Sequence, residues 1–193
     1  MLIKPLKMLI QGVLLLSLVL VLIGLTLPQH YSVIKTVEIN AAQEVVKPLI
    51  TDFSQWYKWS PWEKVDSSIE FNVGEPSSGV GAHQSWQGQW GYGEMTITSV
   101  SHNKVNFNIL LNAEHIITGT FTFIEQNNIV TLTCAIQGQT TAPLISGYTA
   151  ILSEYVLSNT VSLGLNNLQT IAQLSDPQRV EQSHDSQNSP SEN

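Results

Sequence analysis

Residues 154–172 constrain this chain more than any other stretch, because their apolar positions form one stripe that a sheet must cover. Leu157, Val161, Leu165, Leu168 and Ala172 recur at helical spacing. Gly164 and Ile171 widen the stripe, while Asn159, Ser162, Asn166, Thr170 and Gln173 fall on the solvated side. Such a helix has one face to bury. Just upstream, three runs alternate strictly: Val105, Phe107, Ile109 and Leu111 with Asn106 and Asn108; Ile117, Phe121 and Phe123 with Thr118, Thr120 and Thr122; Val130, Leu132, Cys134 and Ile136 with Thr131 and Thr133. Alternation of period two gives each strand one wet and one dry face. Short polar connections make the runs an antiparallel meander whose Phe/Leu/Val face the C-terminal helix must cover.

The earlier chain fits the same plan. Residues 31–39 predict a first strand of ambiguous facing, Asn40 resembles a helix cap, and 41–52 read as a helix carrying Val45, Val46, Leu49 and Ile50. A second short helix or turn at 53–59 is expected to stop at Pro61. Residues 66–73 and 82–88 predict short strands around a loop at 74–79, and Met95 and Ile97 alternate with Thr96 and Thr98 in a further strand. From 175 to 193 the chain is Ser, Asp, Gln, Asn, Glu and Pro with almost nothing to bury, the composition of a disordered tail.

Residues 8–27 are apolar and uncharged, interrupted only by Gln11, Gly12, Ser17, Gly24 and Thr26. At about 1.5 Å per residue, a helix of that length just spans the roughly 30 Å hydrocarbon core. The run exceeds a signal-peptide core of about 7–15 residues and lacks an A-x-A-like cleavage site, which favours an uncleaved transmembrane helix. Lys4 and Lys7 precede it and 28–34 carry no Lys or Arg, so residues 1–7 are expected in the cytoplasm and 28–174 outside it, in the periplasm of a Gram-negative cell. A formal net charge of -7 makes nucleic acid an unsuitable partner. Cys134 is the sole cysteine, which excludes an intrachain disulfide and a cysteine zinc cluster.

Chemistry-bearing residues are sparse. His30, His83, His102, His115 and His184 are dispersed without metal-ligand spacing, so no metal or other cofactor is expected. No G-x-S-x-G elbow is present, and Gly91-Tyr92-Gly93 precedes a strand rather than the helix a phosphate loop needs. Two groups stay as weak catalytic candidates, each with solvation as the favoured alternative: His83, in a strand near Trp86, and Glu154, on the helical line of Leu157 and Val161. Trp56, Trp59 and Trp62 recur every third residue, and Trp86 and Trp90 join them later. Large indoles either line an apolar ligand cavity or cap the core.

Together the elements and motifs resemble the START-like SRPBCC superfamily, whose bacterial branch is the polyketide cyclase/dehydrase and lipid transport family. The matching residues are Trp59-Ser60-Pro61-Trp62, Gly79-Val80-Gly81 leading to Trp86, Gly91-Tyr92-Gly93-Glu94-Met95-Thr96-Ile97, and Gly164-Leu165-Asn166-Asn167-Leu168. The resemblance implies an α+β helix-grip fold, a curved antiparallel sheet wrapped around a long C-terminal helix. It also implies a cavity between sheet and helix for a lipid or other hydrophobic small molecule. The lining expected there is Trp59, Trp62, Trp86, Met95, Phe107, Phe121, Leu132, Leu157, Val161 and Gly164. A cyclase or related enzyme and a ligand-free envelope interaction domain are the alternatives.

Overall fold

The computed structural model describes residues 3–176 apart from Trp90 and Glu114. The expected tail from 177 onward and the place of Trp90 lie outside the described residues. An apolar helix α1 (Ile3–Thr26) leads through three residues into strand β1 (His30–Ile39). Helix α2 (Gln43–Thr51), a 3-10 turn (Phe53–Lys58) and the short α3 (Trp62–Val65) then cross to the far edge of the sheet. There β2 (Glu70–Val73), β3 (His83–Gly88), β4 (Gly91–Val100), β5 (Lys104–Leu111), β6 (His115–Gln126) and β7 (Ile129–Gln139) run as a meander. Helix α4 (Ser146–Ser175) closes the chain.

All seven strands form one antiparallel sheet in the order β1-β7-β6-β5-β4-β3-β2. With the long C-terminal helix against it, this is the helix-grip α+β fold. The alternation explains the register. Val105, Phe107, Ile117, Phe121, Phe123, Val130, Leu132, Cys134 and Ile136 are buried on one face, and the Thr/Asn rows take the other. On that second face Thr120 Oγ1 donates to Asn106 Oδ1 at 2.8 Å. Two local features suit the twist of the sheet. Asn127 and Asn128 both adopt left-handed φ (53° and 61°) in a two-residue β6–β7 turn, the geometry that matches strand twist. A bulge in β4 between Ile97 and Ser99 adds further curl.

Facing in β1, ambiguous from the sequence, is settled by its pairing with β7. Tyr31, Val33 and Ile39 point inward, whereas Ile34 is 63% exposed. Three expectations need correction. Asn40 does not cap α2: Ala42 holds the N-cap position without a side-chain hydrogen bond, because Ala41 turns inward and is fully buried. The C-terminal helix begins eight residues before Glu154, at Ser146, since its early turns are apolar on more than one side and so show no single stripe. It also runs on through Ser175, which the sequence places in the tail, and the following Asp176 is buried.

Leu165, Leu168 and Ala172 are buried on α4, and Leu157, Val161 and Ile171 pack against the same core. The helix lies chiefly along β1 and also meets α2. Gln169 Nε2 donates to the Glu38 carbonyl at 2.6 Å and ties the helix to the edge strand.

Candidate ligand-binding site

Local chemistry holds the tryptophan cluster. The last carbonyls of a helix have no intrahelical partner, and α2 solves this with indoles. Trp56 Nε1 donates to the Ile50 carbonyl at 3.0 Å and Trp59 Nε1 to the Leu49 carbonyl at 2.9 Å, both bonds buried. The two rings pack 4.6 Å apart, with Phe53 edge-on to Trp56 at 5.1 Å. Asp52 starts the 3-10 turn by accepting from Ser54 N at 2.9 Å. Burial raises the Asp52 carboxyl, but hydrogen bonds from Ser54, Gln55 and Ser77 outweigh it and hold the pKa below its ordinary value.

The Trp59-Ser60-Pro61 segment is latched to α4. Asn167 Nδ2 donates to the Trp59 carbonyl at 3.0 Å, and a Cβ at Gly164 would stand 3.3 Å from Pro61 Cδ and 3.6 Å from Trp59 Cζ3. Gly164 therefore makes a notch for this loop. The loop fills the position that the resemblance assigns to a cavity lining. Two of the sequence motifs are in this way halves of one contact.

The inward face of the sheet carries a second pattern. Three aromatic rings lie over glycines directly opposite them on the neighbouring strand: Tyr31 over Gly138, Phe107 over Gly119 and Trp86 over Gly93. Each occupies the volume that a Cβ on the glycine would need. Phe107 also packs against Phe121 with centroids 5.3 Å apart.

Two clefts open at the β2–β4 end of the sheet. One, of about 600 Å³, is lined by Phe71, Trp86, Tyr92, Gly93 and Leu110 with Glu70 and Glu94 among its polar groups. The other, of about 530 Å³, lies between the 3-10 turn and β2–β3. Its apolar lining is Phe53, Trp56, Tyr57, Ile69, Phe71 and Val73; its polar groups include Ser60, Glu63, Glu70 and Gln84. Phe71 belongs to both, 6.2 Å from Trp86. Ser60 Oγ is buried without a hydrogen-bond partner. Among the described residues no Lys or Arg lines either cleft.

The expected lining therefore divides. Trp86 lines the first cleft. Trp59, Met95, Phe107, Phe121 and Leu132 are buried in the core, and Leu157 and Val161 pack against it. Trp62 begins α3 and is half-buried. Neither of these two clefts is lined by α4; both lie at the β2–β4 end of the sheet. Both catalytic candidates face outward: Glu154 is exposed, and His83, also exposed, sets its imidazole over Gly74. Among the described residues no three His, Cys, Asp or Glu side chains gather in a metal-binding group. The sequence reading missed Phe71 and Gln84. Phe71 was legible in the alternation Ile69, Phe71, Val73, but Gln84 is a polar residue on a buried row and carries no such signal.

No protein-family model and no curated protein matches the chain. Solved structures do match its fold. TTHA0849 from Thermus thermophilus superposes with a TM-score of 0.55 at 17% identity, covering 73% of this chain and 96% of its own. KanY (ms6282) gives 0.55 at 19%, covering 74% and 97%, and CV1439 from Chromobacterium violaceum gives 0.54 at 13%, covering 74% and 96%. At such identities the shared property is the fold.

Proposed function

We propose that this chain is a membrane-anchored, SRPBCC-like binding protein for an amphipathic small molecule whose polar end is neutral or cationic. The observation that carries this reading is the cleft between the 3-10 turn and β2–β3, whose aromatic walls surround a few polar groups, the usual make-up of a small-molecule site. Its volume of about 530 Å³ falls within the roughly 300–1,000 Å³ of such sites. Glu63 and Glu70 flank it without a lysine or arginine in the lining, so an anionic carboxylate or phosphate head meets like charge. Ser54, Ser60 and Gln84 are the uncharged polar residues of the lining, which suits a neutral head.

Helix α1 contains the 21-residue segment Leu6–Thr26, long and apolar enough to cross a membrane, a property that a span and a signal sequence share. Its length and the lack of a small-residue cleavage site favour an uncleaved anchor. Lys4 and Lys7 favour a cytoplasmic N-terminus, with the domain outside and, in a Gram-negative cell, in the periplasm.

The test uses the full chain in nanodiscs, challenged with a matched set of C12 amphiphiles: a monoacylglycerol, an alkylamine and a fatty acid. Native mass spectrometry should detect the first two bound and the fatty acid much less, with Phe71→Ala weakening all binding. Equal or tighter binding of the fatty acid removes the charge argument. Binding by none of the three removes the reading itself.

A further inference from the structure

Helix α4 begins against the end of α1. Tyr148 Oη donates to the Leu20 carbonyl at 2.8 Å. A Cβ on Gly24 would lie 2.7 Å from Tyr148 Cε2 and 2.9 Å from the Leu144 carbonyl oxygen, and one on Gly147 would lie 2.8 Å from the Gly24 carbonyl oxygen and closer still to Leu27. Two glycines thus let the backbones meet, as small residues do where membrane helices cross. Only Leu27, Pro28 and Gln29 separate α1 from β1, so the domain sits directly on the end of the apolar helix.

From that contact onward, α4 is apolar on two sides. Ala150 is buried and Leu157 packs on the domain core. The opposite side presents Tyr148, Ile151, Leu152 and Tyr155 at helical spacing, respectively 37%, 53%, 61% and 68% exposed, and Leu144, Ile145 and Val156 extend the patch. Glu154 is the single charge in 144–156. A helix apolar on both sides needs two partners to bury it, and the domain supplies one. Leu20, which Tyr148 reaches, lies six residues inside the end of the Leu6–Thr26 segment, roughly 9 Å along its axis. Interfacial helices sink their apolar faces by a similar depth, about 5–10 Å, and tyrosines gather at that level.

We propose that 144–156 inserts into the bilayer leaflet where α1 ends, so that the domain is seated in the membrane surface by two elements. The proposal rests on reading α1 as an uncleaved span. With no Lys or Arg in 144–156, the insertion depends on apolar burial and gains nothing from anionic lipid.

The test places single cysteines at Ile151, Leu152 and Tyr155 of the full chain, with Val13→Cys as a reporter inside α1 and Asn166→Cys on the exposed polar side of α4. Each is labelled with a polarity-sensitive fluorophore in phosphatidylcholine nanodiscs, and the buried Cys134 stays unlabelled in the folded protein. Lipids spin-labelled high in the acyl chain should quench the probes at 151, 152 and 155, while aqueous iodide quenches only the probe at 166. Substituting a third of the lipid by phosphatidylglycerol should leave this unchanged. If Val13 is quenched by deep spin labels but 151, 152 and 155 respond to iodide, the insertion is refuted while the anchor stands. If Val13 is not reached by lipid labels, the anchor and the insertion fall together. Shielding of 151, 152 and 155 from both quenchers overturns the proposal in favour of a protein partner or a second copy.

Discussion

Replacing Gly119 by alanine should destabilise the protein, although the same change in an ordinary strand stabilises it. Glycine in a strand interior costs roughly 0.5–1 kcal/mol relative to alanine, so the default expectation is a gain. Here the three atoms nearest the new Cβ belong to the Phe107 ring, and the least close, Cε1, is 2.7 Å away. The ring is 2% exposed and packed against Phe121, so it has no free volume to enter. Overpacking of this kind costs about 1–3 kcal/mol, which set against that gain leaves a net loss of up to about 2.5 kcal/mol. Thermal unfolding of the full chain in mild detergent should show Tm lowered by several degrees. Leucine at 107 lacks the ring carbons that fill the Cβ position, so in a Phe107→Leu background the alanine penalty should shrink or reverse. A Tm unchanged or raised by Gly119→Ala, or a penalty equal in both backgrounds, would falsify the ring-over-glycine account.

Phe121→Asp should cost several kcal/mol by burying a charge without a partner, while Thr120→Asp, half-buried on the other face, should be mild; similar losses of Tm at both positions would contradict the register. Burial pushes the Cys134 thiol up to about 12. The unfolded thiol titrates near 8.5, so from about pH 8.5 to about pH 12 only the unfolded state releases this proton. The group's contribution is fully present below about pH 8.5 and declines by roughly 1.4 kcal/mol per pH unit above it. Denaturant midpoints measured at about pH 9 and about pH 10.5 should fall more steeply for the native sequence than for Cys134→Ala, and equal slopes would remove the claim.

The dry and wet faces of β5, β6 and β7 were legible because alternation is a local property: each residue's neighbours two positions away share its face whatever the strand pairs with. The stripe Leu165, Leu168 and Ala172 was legible for the same reason at helical period. So was the apolar run of α1, whose content does not depend on any partner. What the sequence could not decide is which small residue faces which large one. Gly119, Gly138 and Gly93 gain their meaning only once pairing sets Phe107, Tyr31 and Trp86 opposite them. Gly164 looks like room for a ligand until Trp59 and Pro61, more than a hundred residues away, come to rest in it. The start of α4 escaped for a related reason. Its early turns are apolar on one side for the domain and on the other beside α1, and two superimposed stripes erase the periodicity that reveals one. The position of the clefts is tertiary as well, because it depends on how far the 3-10 turn stands from β2 and β3, and no local pattern encodes a distance between elements brought together by folding.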